Sequence, residues 1–590
     1  MFIIQLYSGQ HTRTGDFIYR IVHAARGLFT LPNVEVANID LLQVKTWSLL
    51  QETPLLILHH LSDPDLLPIV AARRKRGLPT VYELADNFRA SHLHRPEARR
   101  TGPPDYHCII EALIRRCDAA QATSAALQST FGPLNRRFFV FPNLVETRFL
   151  KRKSKGVKKH PFTVGWGGST RHFADLEHYA DAIVKWVGKH PDVRLALMAG
   201  GQIRALFSGI PPAQLDARPP ASLEAYFRFI DRLDVGLAPL LPTEFNACRS
   251  DVKFLEYASR EVVPLCSRFG PYQQLSGDFH HLLLFNDSEE LIAQLEKLRL
   301  DCQFRSEMAS LARDYVAKNR LLEGHDWQAR LQQYLRLFRW APLFPAGARG
   351  CSTVVKPAER KHALLPSWQV RLLNMAVKSK DVEKAGHLLQ QIKTQDPKNY
   401  QIHYFHATVL LKTGQTGAAI ASLKEALRLQ PKSVRAAQLL VQCLLIKRDL
   451  EAARQVVERA IEQEPGLPTL LSLKGLVLQL AGEDLAACEL LDDSLRTAPR
   501  LVEASITRAW LAIRLEQFEK AERLADDLSH LIPDSAEPAT ILASACMARG
   551  DCEQAVHHLT AALECDPAHK TASRLWRRVQ ELRPESVNRH

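Results

Sequence analysis

Arg249, Lys253 and Glu256 stand at i, i+4 and i+7, a spacing that puts all three on one face of a helix. Two cations near a helix N-terminus can hold a diphosphate, and a carboxylate one turn further on can accept hydrogen bonds from ribose hydroxyls. Ser250 or Asp251 is the expected N-cap. The same three residues also fit an ordinary salt-bridged surface helix. A second stretch, residues 164–176, reads as a strand, a turn with Gly167, Gly168, Ser169 and Thr170, and the start of a helix. Such a turn exposes backbone N–H groups and the positive end of a helix dipole, which suits phosphate, and Arg171 and His172 add charge.

The elements that must position these residues are legible from patterning. Residues 1–345 alternate short β-rich runs with helical patterns, which predicts parallel sheets with crossover helices. In a first block, strands are predicted near 2–7, 34–39, 55–60, 80–84, 119–122 and 138–141, with helices near 16–29, 65–76, 106–116 and 124–131. The charged run 151–160 reads as a linker. In a second block, strands are predicted near 163–166, 195–199, 235–238, 262–266 and 282–285, followed by three helical stretches. Two such sheet domains in tandem imply a cleft, with ligand beyond the carboxyl ends of the strands.

The rest of the chain repeats. Pro397, Pro431, Pro465, Pro499, Pro533 and Pro567 recur every 34 residues, and an alanine stands twelve residues before each, from Ala385 to Ala555. Each unit predicts two amphipathic helices, closed by a proline that cannot continue the hydrogen-bond ladder. Gly414, Gly482 and Gly550 share one position between the helices, where a turn is expected. The units run 366–399, 400–433, 434–467, 468–501, 502–535 and 536–569, and 570–590 is expected to cap the stack. The pattern resembles the tetratricopeptide repeat (TPR), whose arrays bind peptides or partner surfaces; a spacer or dimerisation element is the competing expectation.

At 590 residues the chain is too long for one core. No apolar run reaches the roughly 18 residues of a membrane span, and the apolar start at Phe2 lacks the basic flank of a signal peptide. The 11 cysteines form no CxxC pair, so a reducing cytoplasm fits best. The net charge of +13 divides into about +11 over residues 1–360 and about +2 over 361–590. That excess suits a nucleotide diphosphate, an anionic membrane surface or simply an Arg-rich exterior; without an aromatic–basic motif, nucleic acid is not expected.

Both chemical stretches resemble the second domain of GT-B-fold glycosyltransferases, specifically the large retaining family 4. Residues 165–176 are similar to that family's glycine-rich loop, and 234–258 to its Asp-x-Gly-Leu-x-Pro-Leu and basic-Ser, Lys, Glu-Tyr-Ala pattern. The resemblance implies two Rossmann-like domains, 1–155 on the acceptor side and 156–345 holding the nucleotide-sugar, then a linker at 346–365 and the TPR α-solenoid. It implies that Glu256 binds the donor ribose, Arg249 and Lys253 its phosphates, and Arg171 or His172 a further phosphate, with Gly167 and Gly168 allowing close backbone approach. The family often has two glutamates eight residues apart; Cys248 stands where the first would be, and Asn246 is the substitute candidate. On the acceptor side the resemblance implies a loop over 8–16, bounded by Gly9 and Gly15, and an acidic element at Asp86; His59 and His60 end a strand that could face the cleft.

The implied activity is retaining sugar transfer from a nucleotide-sugar, without metal or cofactor, to a protein, lipid-linked glycan or polysaccharide. The array would recruit the acceptor or a protein partner, and the location would be the cytoplasm, with contact to the inner membrane face open. The catalytic residue is not assigned, and no Asp-x-Asp metal motif is read. The domain pairing suggests a bacterial source. The alternative is a TPR scaffold with an inactive transferase half.

Overall fold

The computed structural model describes residues 1–9, 15–94, 106–151, 161–338, 363–378 and 381–582. The charged run at 152–160, the middle of the loop at 10–14, most of the linker and the last eight residues lie outside them.

Two parallel six-stranded sheets build the first half. The first holds β1 (Phe2–Tyr7), β2 (Glu35–Asp40), β3 (Leu55–His59), β4 (Thr80–Leu84), β5 (Ala119–Ala122) and β6 (Phe138–Val140), in the order β2-β1-β3-β4-β5-β6. The second holds β7 (Phe162–Gly167), β8 (Val193–Met198), β9 (Leu215–Arg218), β10 (Val235–Ala238), β11 (Val263–Ser267) and β12 (Leu283–Phe285), in the order β12-β11-β10-β7-β8-β9. Central strands such as Leu55–His59 are buried throughout, which is why they read as unbroken apolar runs. β9 was not predicted. It is a short edge strand carrying Asp216 and Arg218, only half buried, and so lacks the apolar signal.

The last helix of this half, Trp327–Leu335, crosses back to the first domain, where Trp327, Leu331 and Tyr334 join the core of Ile3, Ala24 and Ile57. Gly27 admits it, since a Cβ there would sit 1.9 Å from the Trp327 ring. The expected boundary at 345 lies outside the described residues.

Six helix pairs follow, from Ser367–Lys378 with Val382–Gln395 to Glu537–Ala548 with Cys552–Cys565, then the helix Lys570–Leu582. Each repeat proline lies two residues beyond its second helix. The six repeat alanines are at most 2% exposed, so each is the point where two helices touch.

The array lies against the first domain. Ala363 and Leu365 exchange backbone hydrogen bonds with Lys45 and Gln43 at 2.9 and 2.7 Å. Asp65 accepts from the Ser433 hydroxyl at 2.8 Å and the Arg435 backbone N–H at 3.0 Å, while Arg435 pairs with Asp63 at 2.7 Å. Asp63-Pro64-Asp65 is an Asp-x-Asp triplet, against the expectation of none. Both carboxylates face the array, which gives the triplet a docking role.

Candidate functional site

The two sheets face one another across a cleft, and the region of the cleft walled by Tyr7, Asp16, Arg20, His59, Asp86 and Arg171 encloses about 510 Å³, open solvent included. Contacts bridge it. Arg171 of the second domain donates to Asp86 of the first at 3.1 Å, Tyr19 donates to Glu256 at 3.1 Å, and Asn143 donates to Ser250 at 3.1 Å.

The helix Val252–Ser259 follows β10 and carries Lys253 and Glu256. Arg249 stands before it, so the expected single helical face is confined to two of the three residues. Asp251 occupies the N-cap position without a side-chain capping bond. Its carboxylate instead receives both guanidinium branches of Arg320, at 2.6 and 2.9 Å, which ties the helix start to the returning chain.

Glu256 is 5% exposed and accepts from Tyr19, from Tyr226 at 2.9 Å and from Lys253 at 2.8 Å. Lys253 also donates to the Tyr226 hydroxyl at 2.7 Å. Burial and the adjacent carboxylate push the hydroxyls of Tyr19 and Tyr226 well above their ordinary value, so both remain donors. Neither tyrosine was singled out in the sequence. Tyr19 lies on a π-helical turn, Phe17–Val22, and Tyr226 on the helix Leu223–Ile230, far from Glu256 along the chain. Gly167 explains Tyr226: a Cβ at 167 would meet its ring at 2.5 Å. The expected close approach of backbone is thus used by a side chain, and at Gly168 by Trp166, whose ring lies 2.7 Å from the same construction.

Arg249 differs from its neighbours. Its guanidinium rests over the Phe245 ring at 4.6 Å, and its Nε and Nη2 are buried with no hydrogen-bond partner among the described residues. Buried donors are rarely left unpaired, because the lost hydration costs about 1–3 kcal/mol. Its charge acts on Asp86 and Asp16: burial opposes ionisation of Asp86, yet Arg249 and Arg171 hold its carboxyl below the ordinary value. Asp16, at the same wall, is raised to about 6 by burial and by Asp86.

His172 bonds Asp175 at 2.9 Å; burial and then Arg249 lower it to about 4, so at neutral pH it is an uncharged imidazole. It therefore adds no positive charge to the cleft at neutral pH. Asp175 is the centre of this arrangement, accepting also from the Leu241 backbone at 2.9 Å and the Asn246 amide at 2.7 Å. Against the cost of burial, those bonds hold its carboxyl below the ordinary value. Asn246 is fully buried with its amide nitrogen committed to Asp175 and the Leu241 carbonyl, so it is a brace and does not offer that group to a sugar. Cys248 is buried too, against Thr130 of the first domain at 3.6 Å.

In the first domain, Asp86 reaches the cleft. Gly9 lies between Asp40 and Asn374 of the array, where a Cβ would clash at 1.9 and 2.8 Å, whereas a Cβ at Gly15 would meet the Tyr19 ring at an unstrained 3.8 Å. His59 and His60 both line the cleft wall; His59 bonds Gln5 at 3.0 Å, and burial lowers it well below its ordinary value. Among the described residues no group of three or more His, Cys, Asp or Glu is placed to hold a metal ion, and no helix is long and apolar enough to cross a membrane.

No curated protein sequence matches the chain. Among solved structures, Anabaena Alr3699/HepE in complex with UDP is similar at 15% identity and a TM-score of 0.41, over 57% of this chain and 99% of that one. TarM is similar at 11% and 0.37, over 48% and 55%. The Cut9 and Hcn1 assembly of the APC/C is similar at 17% and 0.33, over 36% of this chain and 42% of that one, so the chain spans less than half of that relative. A tetratricopeptide repeat model matches residues 410–476. The matched stretch lies within the helix pairs, whose 34-residue spacing continues on both sides of it, behind two parallel α/β domains.

Proposed function

We propose that the chain is a glycosyltransferase that moves a sugar from a nucleotide-sugar to an acceptor, with the TPR array presenting the acceptor or a protein partner. The observation that carries this reading is the pair of buried Arg249 nitrogens, Nε and Nη2, without a hydrogen-bond partner among the described residues, just ahead of the helix that carries Lys253 and Glu256 at an interdomain cleft. A diphosphate would satisfy the Arg249 donors, and ribose hydroxyls would take the place of the Tyr19 and Tyr226 hydroxyls on Glu256. Catalysis would rest on positioning and on stabilising the leaving diphosphate through Arg249, Lys253 and Arg171, with retention of configuration and without metal or cofactor. Neutral His172 would add a hydrogen bond and no charge.

The test is a panel of UDP-, GDP-, ADP- and CMP-sugars, scored for binding and nucleotide release. One donor is expected to bind and turn over, and Glu256→Ala is expected to weaken that donor about tenfold or more, the loss of a charge-assisted bidentate contact. Unchanged affinity in Glu256→Ala removes the site assignment. Binding without release from any donor would favour the second reading, a TPR scaffold with an inactive transferase half. The buried Cys248, where related enzymes carry a glutamate, supports that alternative.

A further inference from the structure

Where the first-domain helix Tyr106–Arg116 lies against the array, two hollows of about 850 and 950 Å³, open solvent included, share Cys108, Glu111, Arg115, Arg496 and Thr497 as walls and so form one groove. Five arginines line it: Arg89, Arg115, Arg116, Arg496 and Arg500. Three carboxylates answer them. Glu111 is shared by Arg89 at 2.7 Å and Arg115 at 3.0 Å, Glu464 pairs with Arg116, and Asp493 pairs with Arg496 at 2.8 Å. Arg500 donates to the Arg89 carbonyl at 3.2 Å and has no carboxylate partner among these. Among the described residues the groove is left with two more cations than anions, and Arg115 and Arg496 keep 48% and 74% of their side chains exposed.

The groove has direction. Leu501 is also a wall of a third hollow, of about 850 Å³, which runs along the first helices of the third and fourth repeats and presents Gln438, Gln442, Thr469 and Ser472. At the other end, Arg89 stands three residues after Asp86, which enters the cleft. Groove and hollow, joined at Leu501, make one trough, and the segment from Asp86 to Arg89 links its arginine end to the cleft wall along the chain.

We infer that this trough binds an acidic stretch of polypeptide and leads the chain that carries it toward the cleft. Guanidinium forks match carboxylates in pairs, and the amides and hydroxyls farther along can bond the N–H and C=O groups of an extended backbone. Exposed rim charges favour encounter and salt-sensitive affinity. What happens at the cleft end rests on the transferase reading; binding in the trough does not.

The experiment uses the full chain and a short labelled Glu-rich peptide, with a Lys-rich peptide and a single-stranded DNA of equal charge as comparisons, read by fluorescence anisotropy. The Glu-rich peptide is expected to bind, to weaken as salt rises, and to lose about tenfold or more in the Arg115→Glu/Arg496→Glu double variant. Donor binding and the thermal midpoint are expected to be unchanged in that variant. Arg577→Glu, on the exposed face of the capping helix, is the control and is expected to bind as the parent does. No binding of the Glu-rich peptide, an equal loss in Arg577→Glu, or tighter binding of the DNA would each overturn the inference. In the parent chain, donor binding without binding of the Glu-rich peptide sinks the trough alone, and binding of the Glu-rich peptide without donor binding sinks the transferase reading alone.

Discussion

Glu256 accepts from three side chains at once, one of them from the opposite domain, while Arg249 a few residues earlier donates from neither Nε nor Nη2 among the described residues. The contrast separates what the fold satisfies by itself from what it leaves for a ligand. His172 adds a dependence on pH. Its value in the folded chain, about 4, lies below the ordinary 6.5, so between these values the unfolded chain binds more protons. Stability from this group is complete above pH 6.5 and is lost as pH falls toward 4. The apparent melting temperature of the α/β half is expected to fall across that window, with a slope of up to about 1.4 kcal/mol per pH unit from this residue. His172→Gln is expected to flatten the profile there. An unchanged profile would show that other groups set it.

At the scale of elements, the repeat turns carry a graded strain. Gly414, Gly482 and Gly550 adopt φ of 74°, 85° and 83°, and the equivalent positions in the third and fifth repeats hold Arg448 and Glu516 at 59° and 57°. An L side chain in the left-handed region costs about 1–2 kcal/mol, and glycine gives back roughly half of that as lost chain entropy. Glu516→Gly is therefore expected to stabilise the array by about 0.5–1 kcal/mol, and Gly482→Ala to destabilise it by about 1 kcal/mol. Urea midpoints of the two variants check the pair, and shifts of the same sign would refute the turn argument.

At the scale of the whole molecule, the array and the first domain share an apolar cluster that includes Leu56, Leu113, Val434 and Leu470. Arg435 sits at that junction, over the Tyr404 ring at 4.3 Å and against Asp63. Asp65 beside it is raised to about 6 by burial and by Asp63. Arg435→Ala leaves two buried carboxylates without their cation, a loss of about 3–5 kcal/mol. It is expected to raise amide exchange in Val434–Ile446 and Leu66–Lys75 together. Exchange rising in one helix alone would mean that the two bodies are not coupled there. Removal of the array would strip this interface as well as any acceptor platform, so point variants at the trough discriminate better than truncation.

Periodicity and residue type settled the elements. The 34-residue register, the strands of both sheets save β9, and the motif that carries Lys253 and Glu256 were all readable, because each depends on neighbours within a turn or two. Contacts between distant segments were not readable. Tyr19 and Tyr226 meet Glu256 across 237 and 30 residues, Arg435 meets Asp63 across two domains, and Asn246 is consumed by Asp175 when sequence alone offered it to a ligand. Local propensity carries no information about which side chain will lie opposite after two sheets and a solenoid have packed. Only the tertiary structure decided that Nε and Nη2 of Arg249 are buried without a partner among the described residues and that arginines from two domains line one trough.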